Sequence, residues 1–152
     1  MHSFVELLHE NRQKPILVTG TGFCAPLQEF MVRKLLVLGY CAIGSNSYEV
    51  YESGALNAGL VIAISKSGKT NTILKPVQDS FAQHRSIIAF VGADNSPIAR
   101  CADPAFVLLD DKMLDDRNLT ANYFYARVLI TFEYLMDLVL EKDEHPNGKE
   151  GQ

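Results

Sequence analysis

Leu60-Val61-Ile62-Ala63-Ile64 is apolar at every position, where a strand with one wet face would alternate. Such a run marks a strand covered on both sides, as in a parallel sheet held between two layers of helices. Four other short runs read the same way: Pro15-Ile16-Leu17-Val18-Thr19, Tyr40-Cys41-Ala42-Ile43, Ser86-Ile87-Ile88-Ala89-Phe90-Val91 and Ala105-Phe106-Val107-Leu108-Leu109.

Helical patterns separate these runs. Leu27, Phe30, Met31, Leu35 and Leu38 recur at helical spacing, with Pro26 suited to the first turn and Gly39 to the exit. A second helix is expected from Ser47 to Leu56, and a third carries Ile73, Leu74, Val77 and Phe81, with Pro76 able to kink it. A short one opens with Ser96 as N-cap and Pro97 after it. The last, from about Leu119 to Leu140, spreads apolar groups around most of its circumference. A helix of that kind buries two faces, one on its own sheet and one on a partner, so a homodimer through this helix is expected. Phe4, Val5, Leu7 and Leu8 mark a first helix expected to join that contact with the partner.

Strict alternation of strand and helix predicts an α/β fold: a doubly wound, five-stranded parallel sheet in three αβα layers, flavodoxin-like in plan. With 152 residues there is room for one such domain. It is expected over residues 14–141, after an N-terminal helix (1–13) and before a disordered polar tail (142–152). The longest uncharged apolar run, Gly59 to Ile64, falls far short of the ~20 residues that span a bilayer. No membrane contact is expected, and the start lacks a basic flank and apolar stretch of a secretion signal. Cys24, Cys41 and Cys101 are odd in number and unpaired in spacing, which fits reduced thiols, a cytoplasmic location and no metal site. A net charge of -4 argues against this chain gripping nucleic acid by itself.

In an open parallel sheet, ligands sit at the carboxyl ends of the strands, near the switch in strand order. The loop Ser65-Lys66-Ser67-Gly68-Lys69-Thr70 leaves one such end and enters a helix. Gly68 lets the backbone wrap closely around an anion, and the free N–H groups of the following helix point at it. Ser65, Ser67 and Thr70 add hydroxyls, and Lys66 and Lys69 add charge. Helix capping would account for one of these hydroxyls, not three. Two look-alikes compete. Residues 63–70 satisfy a relaxed phosphate-loop pattern of nucleotide hydrolases, but its first glycine is missing and part of it reads as strand. Gly20-Thr21-Gly22-Phe23-Cys24-Ala25 mimics a dinucleotide fingerprint, but the next strand ends in Ile43-Gly44-Ser45-Asn46 without the acid that holds a ribose. No cofactor is expected.

Together, Gly20-Thr21-Gly22-Phe23-Cys24, Ile62 to Thr70 and Ser96-Pro97-Ile98-Ala99-Arg100-Cys101-Ala102-Asp103 resemble the sugar isomerase (SIS) domain family over roughly Lys14 to Leu140. The pattern is most similar to the effector domain of RpiR-type transcription regulators. The resemblance implies a dimer that binds a phosphorylated sugar, with Ser65, Ser67 and Thr70 around the phosphate. Gly22, Cys24, Asn46, Lys66, Gly68 and Lys69 complete the expected binding set. Cys24 stands where the family usually has serine, and it reads as a small buried residue or as a thiol activated by a helix N-terminus. DNA contact would require a separate helix-turn-helix, for which Met1 to Gln13 is too short.

Aldose–ketose isomerisation needs a base that moves a proton between neighbouring carbons. Glu49 and Glu52, at the start of the expected second helix, are the catalytic candidates, although first-turn glutamates ordinarily favour the helix dipole. His84 falls at the far end of the third helix, and His2, His9 and His145 lie near the termini. A sensor is therefore favoured over a stand-alone isomerase. A nucleotide binder and a dimerisation module without ligand remain as alternatives. Recognition of the sugar hydroxyls falls to side chains from Asn46, Glu49, Asp94, Asp110 or a partner subunit, among which linear order does not choose.

Overall fold

A computed structural model describes residues 2–44, 58–109, 112, 115 and 117–145. The expected second helix and Asn46, Glu49, Glu52 and Asp110 lie outside the described residues. Five strands form one parallel sheet: β1 (Ile16–Thr19), β2 (Ala42–Gly44), β3 (Leu60–Ser65), β4 (Ser86–Val91) and β5 (Ala105–Val107), in the order β2-β1-β3-β4-β5. β1 sits between β2 and β3, with Val18 opposite both Gly44 and Ile62. The strand order therefore reverses between β1 and β3, which brings the loops after these two strands side by side.

The uninterrupted apolar runs explain the layering. All residues of β1 and β3 are buried, as strands covered on both faces must be. On one face α1 (Phe4–Glu10), α2 (Ala25–Val37) and α5 (Phe124–Glu144) pack over Ile16, Val18, Leu60, Ile62, Ile88 and Phe90. On the other, α3 (Asn71–Ala82) and α4 (Pro97–Cys101) cover Leu17, Val61, Ala63, Ile87 and Ala89. Side chains alternate along each strand, so one run feeds both cores.

Local signals set the helix ends. Ser3 and Glu6 form a reciprocal capping box that starts α1. Ser96 caps α4, with Pro97 in its first position. α3 continues through Pro76, which is buried.

The last helix departs from expectation at both ends. It begins at Phe124 rather than near Leu119. The Asp115 carboxylate accepts from the N–H groups of Leu119 and Thr120 and from the Thr120 hydroxyl, at 2.7–3.0 Å. The Asn122 side chain accepts from the Phe124 N–H. The Asn122 bond takes an N–H that a helix begun at Leu119 would give to the Thr120 carbonyl, and residues 119–123 stay outside the helix. At the other end α5 continues to Glu144, past the expected start of the tail. Arg12 holds Asp143 at 3.0 Å there and also covers the Tyr40 ring.

Candidate functional site

The described ends of β1, β3 and β4 and the loop entering α5 surround a cavity of about 660 Å³ at the carboxyl edge of the sheet. Its floor is built by the loop between β3 and α3. Ser65, only 1% exposed, accepts from the Gly68 N–H through its hydroxyl at 3.0 Å and lies 2.8 Å from the Thr70 hydroxyl. Ser65 thus folds the loop from behind and does not line the cavity. Thr70, although it occupies the N-cap of α3, makes no side-chain capping bond there. Its hydroxyl is committed to Ser65, which separates it from the ordinary capping role.

Gly68 has φ +70°, and an added Cβ would run into the side chain of Ser96. Its carbonyl accepts from the Ile98 N–H at 2.9 Å, and the Lys66 carbonyl accepts from the Gly92 N–H at 3.0 Å. The turn is therefore pinned to the loop after β4 as well as to its own strand. Lys66, Ser67, Lys69 and Thr70 are left on the cavity wall, beside the amino end of α3. The first-turn N–H groups of a helix have no partner within it, and the dipole adds positive potential at the same place.

The second wall comes from the loop after β1. The buried Gln28 side chain accepts from the Gly20 N–H at 2.9 Å and holds this turn against α2. Gly22, at φ +58°, then turns the chain so that Thr21, Gly22, Phe23 and Cys24 face the cavity. Thr21 approaches Thr72 of α3 with hydroxyls 3.4 Å apart. Cys24 is 6% exposed. Burial pushes its thiol up to about 11, against a weaker opposing influence from a backbone hydrogen bond with Lys66. Desolvation outweighs the two lowering influences of Lys66, which favours the small buried residue over the activated thiol. Cys24 is a small buried residue tying the two loops together.

Asp94, Ser96 and Pro97 supply the third wall, and Arg117, Asn118 and Tyr125 the fourth. The Tyr125 hydroxyl donates to Asn118 Oδ1 at 2.7 Å, and its ring lies 5.9 Å from that of Phe23. The loop bearing Arg117 and Asn118 is tied to the floor, since Lys66 Nζ donates to the Asp115 carbonyl at 3.3 Å. Three hydrogen bonds to the Asp115 carboxylate, first that from the Thr120 hydroxyl, hold its pKa below the usual carboxylate range.

Thus Gly22, Cys24, Lys66, Ser67, Lys69, Thr70 and Asp94 are brought together on one cavity, with Ser65 and Gly68 immediately beneath it. Phe23, Arg117, Asn118 and Tyr125 were missed as binding residues. Tyr125 reads in sequence as part of an apolar helix face, and only the placement of the amino end of α5 at the strand carboxyl edge exposes it. The four histidines lie away from the cavity: His84 follows α3, His2 meets Asp103 ahead of β5, His9 approaches Asp143, and His145 closes α5. Among the described residues no cluster of metal-ligating side chains occurs, and no helix is long and apolar enough to cross a membrane.

No protein-family model matches the sequence, and no curated protein matches it at a significant level. Solved structures do. The NanR protein of Vibrio vulnificus, complexed with ManNAc-6P, superposes with a TM-score of 0.76 at 20% identity over 96% of this chain. This chain spans 54% of that one. The sugar isomerase domain of an RpiR transcription factor from Sphaerobacter thermophilus gives 0.63 at 18% identity, covering 92% of this chain and 82% of its own. Phosphoheptose isomerase GmhA from Neisseria gonorrhoeae gives 0.71 at 14%, covering 90% and 80%. The fold of this chain is that of the sugar isomerase domain.

Proposed function

We propose that this chain binds a sugar phosphate and serves as a ligand-sensing, dimerising domain of an RpiR-type transcription regulator, in the cytoplasm. One observation carries the reading: the Lys66–Thr70 turn presents two hydroxyl side chains and two lysines to a cavity at the amino end of α3. Among the described residues, Lys66, Lys69 and Arg117 line the cavity with one carboxylate, Asp94, and the Asp115 carboxylate interacts with Lys66. The excess of cations suits a phosphate monoester, which carries roughly −1.5 to −2 near neutral pH. The NanR and RpiR regulators among the structural neighbours support the sensing role. DNA would be read by a separate helix-turn-helix domain.

The described cavity wall has no histidine, and its one carboxylate, Asp94, is exposed. This favours binding without turnover. The likeness to phosphoheptose isomerase supports sugar-phosphate isomerisation as a second reading, with Glu49 or Glu52 as the base.

Calorimetric titration with hexose, pentose and N-acetylamino-sugar phosphates tests both, with the ligands recovered afterwards to look for aldose–ketose conversion. Saturable binding without conversion is expected. The Ser67→Ala, Thr70→Ala double variant should lose at least tenfold in affinity, about 1.4 kcal/mol. Unchanged affinity in that variant would remove the phosphate site, and conversion lost on Glu49→Gln or Glu52→Gln would establish the isomerase. Preference for ATP over every sugar phosphate would restore the nucleotide reading.

A further inference from the structure

The walls formed by the β1 loop and the segment entering α5 carry chemistry that a phosphate and a ring of hydroxyls do not use. Phe23 lines the cavity yet is 59% exposed, an apolar ring left in water beside a cationic turn. Tyr125 backs it, with the two rings 5.9 Å apart and tilted by 35°. Rings at that separation are already in contact with each other. No slot is left between them for a flat base, which excludes a sandwiched nucleotide. What remains is the outer surface of Phe23, suited to a small apolar group.

Asn118 stands in the same wall at φ +54°, anchored by its N–H to the Asp115 carbonyl. Its Oδ1 is taken by the Tyr125 hydroxyl at 2.7 Å. An amide with its oxygen engaged keeps its NH2 group as a donor, and so matches a carbonyl oxygen. A small apolar group and a carbonyl acceptor, side by side, are the two halves of an acyl amide.

Resting on the sugar-phosphate reading above, we propose that the ligand is a phosphate monoester of an N-acylated amino sugar, its acyl group against Phe23 and its carbonyl accepting from Asn118. The phosphate turn anchors one end of the sugar and the aromatic wall selects the substituent at the other.

Titration of the full chain with N-acetylmannosamine 6-phosphate, N-acetylglucosamine 6-phosphate, glucosamine 6-phosphate, glucose 6-phosphate and inorganic phosphate tests the assignment. The N-acetylated esters are expected to bind about tenfold more tightly than the unacylated ones, the gain of one buried methyl and one hydrogen bond. In Phe23→Ala and in Asn118→Leu the ratio of acylated to unacylated affinity should fall toward one. Equal affinity for glucose 6-phosphate and the acylated esters would overturn the acyl site and leave the phosphate site standing. Absence of binding by every ester would remove both. If Phe23→Ala dissociates a dimer while the ratio is kept, Phe23 belongs to an interface and the proposal is wrong.

Discussion

The hydroxyls of Ser65 and Thr70 lie 2.8 Å apart, closing the β3–α3 turn across its own base. Ser65 also accepts from Gly68, so one buried oxygen sets the shape of the whole turn. Ser65→Ala leaves the Gly68 N–H without its side-chain acceptor and Thr70 without its partner. The Gly68 N–H keeps the Ser65 carbonyl at 3.2 Å as acceptor, so losing the hydroxyl bonds costs about 0.5–1.5 kcal/mol each. At about 2–4 °C per kcal/mol for a chain of this size, a visible drop in Tm is expected, together with weaker ligand binding. A variant with wild-type Tm and wild-type affinity would show that Ser65 does not organise the turn.

Gly68 and Gly22 both adopt positive φ, but their surroundings differ. A Cβ on Gly68 meets Ser96, whereas one on Gly22 meets nothing within 4 Å. Gly22→Ala should cost only the left-handed backbone penalty, roughly 1–2 kcal/mol. Gly68→Ala adds a clash that shifts the cap of α4, typically about 1–3 kcal/mol more. Denaturant midpoints of the two variants check the order, and equal midpoints would contradict it.

The sheet was legible because β3 and β4 are written in runs that only a doubly covered strand requires, and their spans agree with the structure to within a residue. The start of α5 was not, because periodicity from Leu119 onward hides the competing bond from the Phe124 N–H to Asn122. The phosphate turn was visible as a string of hydroxyls and lysines, but its internal division was not. Ser65 and Thr70 bond to each other, and no spacing rule distinguishes a hydroxyl facing inward from one facing a ligand. Arg117, Asn118 and Tyr125 join the cavity through tertiary contacts some fifty residues from the turn, a distance over which linear patterns say nothing.

The Cys24 thiol, raised to about 11 from an ordinary 9.0, links stability to alkaline pH. A group whose folded pKa is raised contributes fully below the unfolded value and loses that contribution as pH climbs through the folded one. Stability should therefore fall between about pH 9 and pH 11, and Cys24→Ser should flatten part of that slope. Alkylation of the native protein at pH 8 should modify the exposed Cys41 well before Cys24, as read by mass spectrometry. Equal labelling of the two would mean that Cys24 is open to solvent.

Asp115 has the opposite sign. Its bonds from Thr120 and Leu119 depress its pKa below 3.8, so its contribution is present above that value and fades as pH falls through the folded one. Protonation weakens the carboxylate bonds that hold Leu119 and Thr120 beside Asn118. Asp115→Asn should lower sugar-phosphate affinity several-fold at pH 7 with little change in fold by circular dichroism. Affinity equal to wild type would detach that loop from ligand binding.

α5 buries Phe124, Val128, Phe132, Leu135, Met136 and Val139 against its own sheet, yet Tyr123, Ile130 and Tyr134 remain 62–70% exposed. Their spacing of seven and four residues puts them on one side of the helix, away from the core stripe. If that side is the dimer face, Ile130→Glu places a charge in an apolar contact and should shift the chain to monomer in sedimentation velocity at micromolar concentration, with Tm read in parallel. Ile130 is 70% exposed, so the monomer's own packing should survive. A substituted chain that sediments as wild type would move the interface elsewhere on the molecule.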